Sequence, residues 1–174
     1  ATMAGTLRFK TEALVYQRLS HEDRLTGLRN RRAFEQSLET LEREAGSWEN
    51  VALVFMDLNG LKYINDHFGH SEGDLLIING AKCIQEAFVN IGLCFRIGGD
   101  EFAVVAAGKT KNIIDAALSV FRSQAEAYNG EEHRVPLKVA CGVACKNPGD
   151  TIQPEQVFHN ADAAMYRDKA GSRR

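Results

Sequence analysis

Three acidic side chains carry the chemistry this chain could do: Asp57 near the end of an apolar run, and Asp100 and Glu101 directly after a Gly-Gly pair. An unpaired carboxylate is costly to bury, so acids placed on apolar elements want a cation. Asp57 lies in Val-Ala-Leu-Val-Phe-Met-Asp-Leu, residues 51–58, which reads as a strand buried on both faces. Residues 93–97 and 102–107 read as shorter strands, and Gly98-Gly99 between them predicts a tight hairpin turn with positive φ. Three carboxylates converging on one spot suit a hard divalent ion such as Mg²⁺. Such ions most often serve phosphate chemistry, where a pair polarises the attacked phosphorus and activates a hydroxyl. The plainer reading makes Asp57 the cap of the next helix and Asp100 and Glu101 ordinary turn residues. It is the weaker one, because acids are common at turns and rare in buried strands.

After Asp57, Asn59-Gly60-Leu61-Lys62 reads as a tight turn into a helix. Free N–H groups at such a turn attract phosphate, and Lys62 sits where it adds positive charge, although a lone helix lysine is usually just solvated. Three look-alikes fail. A calcium loop starting at Asp57 would place Leu61, Lys62 and Phe68 where an oxygen ligand, a glycine and a glutamate are needed. Gly108-Lys109-Thr110 resembles the end of a P-loop, but the required first glycine is Ala103. His67 and His70 lack a third zinc ligand nearby.

The elements that must position these residues follow from periodicity. Residues 31–45 read as a helix with Phe34, Leu38 and Leu41 on one face, and residues 61–67, 74–89, 112–128 and 154–169 read as further helices. Pro154 suits a first helical turn. Residues 135–145 read as a long strand with a bulge near Gly142. Upstream, Leu7, Leu14, Val15 and Leu19 suit an exposed amphipathic helix, so residues 1–20 are expected to be a linker or stalk helix and residues 21–174 one domain. A hairpin within alternating strands and helices predicts an α+β fold with a ferredoxin-like βαββαβ core. Its central sheet is mostly antiparallel and flanked by helices. Asp57 then approaches Asp100 and Glu101.

Composition bounds the answer. The 174 residues are 44% hydrophobic and 25% charged, enough for one globular domain. Net charge is −2, which creates no basic field for nucleic acid. No apolar run reaches membrane-span length and no secretory leader pattern is visible, so a cytoplasmic domain without direct membrane contact is expected. Cys83, Cys94, Cys141 and Cys145 lack Cys-x-x-Cys spacing and read as reduced thiols rather than zinc ligands or disulfides.

Five motifs in order carry a family resemblance. They are Asp23-Arg-Leu-Thr-Gly-Leu-Arg-Asn-Arg-Arg32, Met56-Asp-Leu-Asn-Gly-Leu-Lys-Tyr-Ile-Asn-Asp66, Phe68-Gly-His-Ser-Glu-Gly-Asp74, Arg96-Ile-Gly-Gly-Asp-Glu-Phe102 and Ala161-Asp-Ala-Ala-Met-Tyr166. Together they resemble the GGDEF domain of diguanylate cyclases, from about Asp23 to Arg173. The resemblance implies a sheet of the nucleotidyl-cyclase and polymerase-palm type. It also implies a reaction in which two GTP molecules condense to cyclic di-GMP and two pyrophosphates. Each domain of a transient or stalk-driven homodimer holds one GTP, and the pair serves as the output module of a larger signalling protein that can be membrane-anchored. The alternative is a catalytically silent GTP-binding regulatory domain.

The resemblance further implies that Asp57, the Leu58 carbonyl, Asp100 and Glu101 hold Mg²⁺, two ions per half-site with Mn²⁺ able to substitute. Asp100 also helps deprotonate the ribose 3′-hydroxyl. Gly98 and Gly99 let the backbone approach the nucleotide, which agrees with glycine's lack of a side chain. Asn65 and Asp74 match the guanine-reading positions, Leu61 belongs to the substrate site, and Lys62, Lys169 and Arg173 match those that hold the β- and γ-phosphates. Asn59 stands where a second aspartate is common, and Leu61 where phenylalanine is common. The tail, Lys169-Ala-Gly-Ser-Arg173, has its glycine one place early. Many relatives carry an Arg-x-x-Asp product site upstream of the hairpin. Val89 and Gly92 stand there instead, so no product inhibition through that site is expected.

Overall fold

The computed structural model describes residues 21–43, 50–132 and 135–171. The expected helix within residues 1–20 and the phosphate role of Arg173 lie outside the described residues. Elements run β1 (Arg29–Asn30), α1 (Arg31–Arg43), β2 (Val51–Leu58), α2 (Leu61–Phe68), α3 (His70–Ala87), β3 (Leu93–Arg96), β4 (Glu101–Ala107), α4 (Lys111–Gly130), β5 (Val139–Lys146) and α5 (Pro154–Gly171). The five strands form one sheet in the order β1-β3-β4-β2-β5. Its β2, β3, β4 and β5 pair antiparallel as a ferredoxin-like core demands, and β1 adds a short parallel edge beside β3. The two-residue β1 falls in a polar stretch with no strand pattern, so backbone pairing alone defines it.

Every residue of β2 is buried, because the strand is central and covered on both faces. Alternation splits its side chains between two cores. Ala52, Val54, Met56 and Leu58 meet α3 and α4 on one face. Val51, Leu53 and Phe55 meet α1 and α5 on the other. Phe34 of α1 makes edge-to-face contacts there with Phe55 at 6.0 Å and Phe95 at 5.4 Å, a geometry worth about 0.5–1.5 kcal/mol beyond area burial. By the same parity Asp57 faces α5 and Leu58 faces α3.

Several boundaries differ from the pattern-based expectation. Helix α3 begins at His70, four residues earlier than its apolar face. Strand β5 begins at Val139 rather than residue 135, because the Asn129 side chain pairs with both backbone groups of Leu137 at 3.0 and 2.7 Å and withdraws them from the ladder. No bulge occurs at Gly142, since β2 and β5 stay in continuous register from Val51↔Lys146 to Leu58↔Val139. Gly142 is instead where α5 presses on the sheet: a Cβ there would strike the Met165 N–H and the Ala161 carbonyl.

Candidate active site

Asp57 is the one buried charged side chain among the described residues, at 6% exposure. It does not cap the following helix, whose cap is Gly60 in the left-handed conformation with φ 81° and no side-chain hydrogen bond. Lys169 Nζ, from the last turns of α5, donates instead to both Asp57 oxygens at 2.7 Å. The tertiary fold makes this pair, since the partners are 112 residues apart. Across the ladder Asp57 stands opposite Glu101, and like charges in that relation repel. The Lys169 ammonium offsets that repulsion.

The Gly-Gly turn follows β3 and closes through Ile97 N–H to the Glu101 carbonyl at 2.9 Å. Leu58 N–H donates to the Asp100 carbonyl at 2.9 Å, which seats the turn beside the end of β2. The expected positive φ at Gly98 and Gly99 is not found; neither residue lies in the left-handed region. Space accounts for Gly98 instead, because a Cβ there would meet the Glu101 carboxylate. Asp100 is half-buried and Glu101 exposed, so their side chains stay on the rim while Asp57 turns inward to Lys169. Among the described residues no three His, Cys, Asp or Glu side chains converge enough to ligate one ion. The donor set itself fits a hard cation: carboxylate and carbonyl oxygens with a buried acid that already grips an ammonium through both oxygens.

A brace behind the turn is absent from the sequence expectation. Arg96 donates through one guanidinium nitrogen to Asp23 at 3.1 and 3.2 Å and through another to the Gly99 carbonyl at 2.9 Å. Asp23 also accepts from the Thr26 N–H at 3.0 Å and the Thr26 hydroxyl at 2.7 Å. Burial works to raise the Asp23 pKa, but the Thr26 and Arg96 hydrogen bonds and the Arg96 charge outweigh it and hold the group below its ordinary value. The Asp-x-x-Thr spacing is a turn signal that could have marked this residue.

A second group of the expected residues sits at the corner between α2 and α3. Gly69 joins them with φ 88° and ψ 160°, a conformation open essentially to glycine. The corner brings Asn65 against Gly73, so closely that a Cβ on Gly73 would strike the Asn65 amide oxygen and crowd Leu61. Asp74 stands exposed beside it, and Lys62 is exposed on α2. Asn65 and Leu61 therefore pack against Gly73, and Asp74 is the next residue along α3.

The family model described as "Diguanylate cyclase, GGDEF domain" matches residues 20–174. The chain belongs to the GGDEF domain family. It is 33% identical over 168 residues to diguanylate cyclase DgcS of Shewanella oneidensis, covering 92% of this chain and 54% of that protein. It is 34% identical over 166 residues to diguanylate cyclase DgcP of Escherichia coli, covering 94% of this chain and 48% of that protein. The chain thus spans about half the length of these curated relatives. A solved structure of the coiled coil and GGDEF domain of DgcB from Caulobacter crescentus, in complex with c-di-GMP, superimposes with a TM-score of 0.83 at 27% identity. That match covers 97% of this chain and 90% of the other. The GGDEF signature itself is Gly98-Gly99-Asp100-Glu101-Phe102, with Phe102 fully buried as the anchor of β4.

The loop upstream of the hairpin holds no charge at positions 89 and 92. Val89 is 62% exposed and apolar. Gly92 packs so tightly that a Cβ would lie 2.8 Å from the Val105 carbonyl and from a Val104 methyl, leaving no room for an aspartate in this packing. No helix among the described residues is long and apolar enough to cross a membrane.

Proposed function

We propose that this chain condenses two GTP molecules into cyclic di-GMP, each of two domains presenting one GTP to the other. The observation that carries the reading is the seating of the GGDEF turn on β2, where Asp57 opposes Glu101 and Leu58 binds the Asp100 backbone. In this reading the ribose 3′-oxygen of one nucleotide bonds to the α-phosphorus of the other. The bond from that phosphorus to the bridging oxygen breaks, and pyrophosphate leaves. Asp100, half-buried on the turn, accepts the hydroxyl proton. A second, identical step closes the ring.

Asp57, the Leu58 carbonyl, Asp100 and Glu101 are the groups that would hold Mg²⁺, which when bound would neutralise triphosphate charge and polarise the attacked phosphorus. Asn65 and Asp74 read guanine: the Asp74 carboxylate accepts from the N1–H and N2–H₂ donors that adenine lacks as a pair. A site left with unpaired polar groups rejects the wrong base by up to about 10⁴-fold. Lys62 and Lys169 supply charge for the β- and γ-phosphates.

The test incubates the full chain, dimerised through a fused coiled coil, with GTP and Mg²⁺. Cyclic di-GMP is the expected product, and Asp100→Ala is expected to abolish it while leaving the fold intact. GTP binding without product would favour the silent regulatory reading instead.

A further inference from the structure

Lys169 sits where the proposed function needs it and also where it obstructs. Its ammonium binds both oxygens of Asp57, so the carboxylate has both oxygens engaged. The pair is well shielded, with side-chain exposures of 26% for Lys169 and 8% for Asp57. By contrast Lys111–Asp115 and Arg31–Glu35 are exposed pairs one helical turn apart, of the kind that contributes little. A shielded carboxylate stripped of its partner is costly, so losing Lys169 favours another cation at Asp57.

The fold holds the lysine there. Gly142 lets the α5 backbone touch β5, and Asp168 Oδ2 accepts the Cys141 N–H at 2.8 Å on the outer edge of β5. Asp168 immediately precedes Lys169, so this bond fixes the turn of α5 from which the ammonium reaches the end of β2.

We infer that Lys169 is a resident cation that competes with the divalent ion for Asp57, so that the ion is captured efficiently when a nucleotide's phosphates draw the lysine away. The inference rests on the nucleotide-binding reading above and deepens it. A free divalent ion must displace a bidentate ammonium and leave it without an acid. A nucleotide offers that ammonium new anionic oxygens in the same step, so ion and nucleotide load together. Nucleotide-free protein then binds the ion weakly, and the domain avoids holding ions without substrate.

The experiment measures Mn²⁺ binding by electron paramagnetic resonance, without nucleotide and with a non-hydrolysable GTP analogue. Circular dichroism checks that each variant is folded. Lys169→Gln is expected to bind Mn²⁺ about tenfold more tightly than wild type without nucleotide, and to show a smaller gain on adding the analogue. Lys138→Gln controls for general charge, because the Lys138 carbonyl accepts the Asn59 N–H at the same end of the sheet, and is expected to leave Mn²⁺ binding unchanged. Equal or weaker Mn²⁺ binding by Lys169→Gln, with nucleotide binding intact in wild type, overturns the inference alone. An equal rise in Lys138→Gln overturns it too, since bulk charge then explains the effect. Wild type that binds neither the analogue nor Mn²⁺ in its presence overturns the nucleotide reading, and the inference with it.

Discussion

A methyl group at position 73 would land on the Asn65 amide. Helix propensity alone predicts that Gly73→Ala in α3 gains about 1 kcal/mol, because alanine loses less entropy on ordering. The obstacle is the end of a flexible side chain, so Asn65 rotates away at little cost to the fold. The expected outcome is an unchanged or raised melting temperature with guanine-nucleotide affinity reduced about tenfold, read by isothermal titration. Lowered stability with unchanged affinity would remove Asn65 from the base-reading role. Asp23 shows the opposite balance, since it works through charge. Asp23→Asn is expected to cost about 1.5–3 kcal/mol at neutral pH, as hydrogen bonds to charged groups do. The wild-type carboxylate titrates below its ordinary 3.8 when folded. Its contribution is therefore complete above 3.8 and disappears as pH falls through the lower folded value. Thermal melts of both proteins should differ at pH 7 and converge under strong acid; a constant gap would deny the charge its role.

At the scale of elements, α5 decides the site by how closely it lies on β5. Gly142 permits that approach, and both atoms it spares are backbone atoms that cannot swing aside. Gly142→Ala is expected to lift α5 and to cost about 1–3 kcal/mol, the usual penalty for overpacking. The same displacement draws Lys169 away from Asp57. Chemical denaturation measures the first effect. The second would appear as tighter nucleotide-free Mn²⁺ binding, provided the fold persists. The β5 thiol beside this contact is silenced by its surroundings. Burial, with the Asp168 charge adding, pushes Cys141 up to about 12, and burial raises Cys94 to about 11. Both are expected to resist iodoacetamide in folded protein at pH 8 and to react once it is unfolded. Labelling of native Cys141 at an unfolded rate would show that the β5 face beneath α3 and α4 opens freely.

For the whole molecule, the proposed chemistry needs two copies, because a single nucleotide cannot supply both the attacking hydroxyl and a separate α-phosphate. Specific activity is expected to rise with protein concentration until the dimer is saturated. A rate per molecule that stays constant on dilution into the range where light scattering shows monomer would contradict it. Feedback is the other property at this scale. Val89 offers no charge to a product phosphate, and Gly92 has no space for an acid. Added cyclic di-GMP is therefore expected to leave the initial rate unchanged unless it competes with GTP. Non-competitive inhibition with NMR shifts centred on Val89 and Gly92 would refute this.

Local chemistry made the acids and the main elements readable from the chain alone. An aspartate inside residues 51–58 stands out because burial penalises charge, and apolar periodicity marks strands and helices because each buries one face or two. Five motifs in order were likewise sufficient for the family, and the matched profile agrees with them. Distance along the chain hid the rest. The partner of Asp57 lies 112 residues away and that of Asp23 lies 73 away, so no window of sequence contains either pair. The same holds for Gly142, which looked like a bulge but answers to a helix that packs on that face of the sheet. Composition and spacing determine which groups are costly to bury; only packing decides which cation or backbone atom relieves each one.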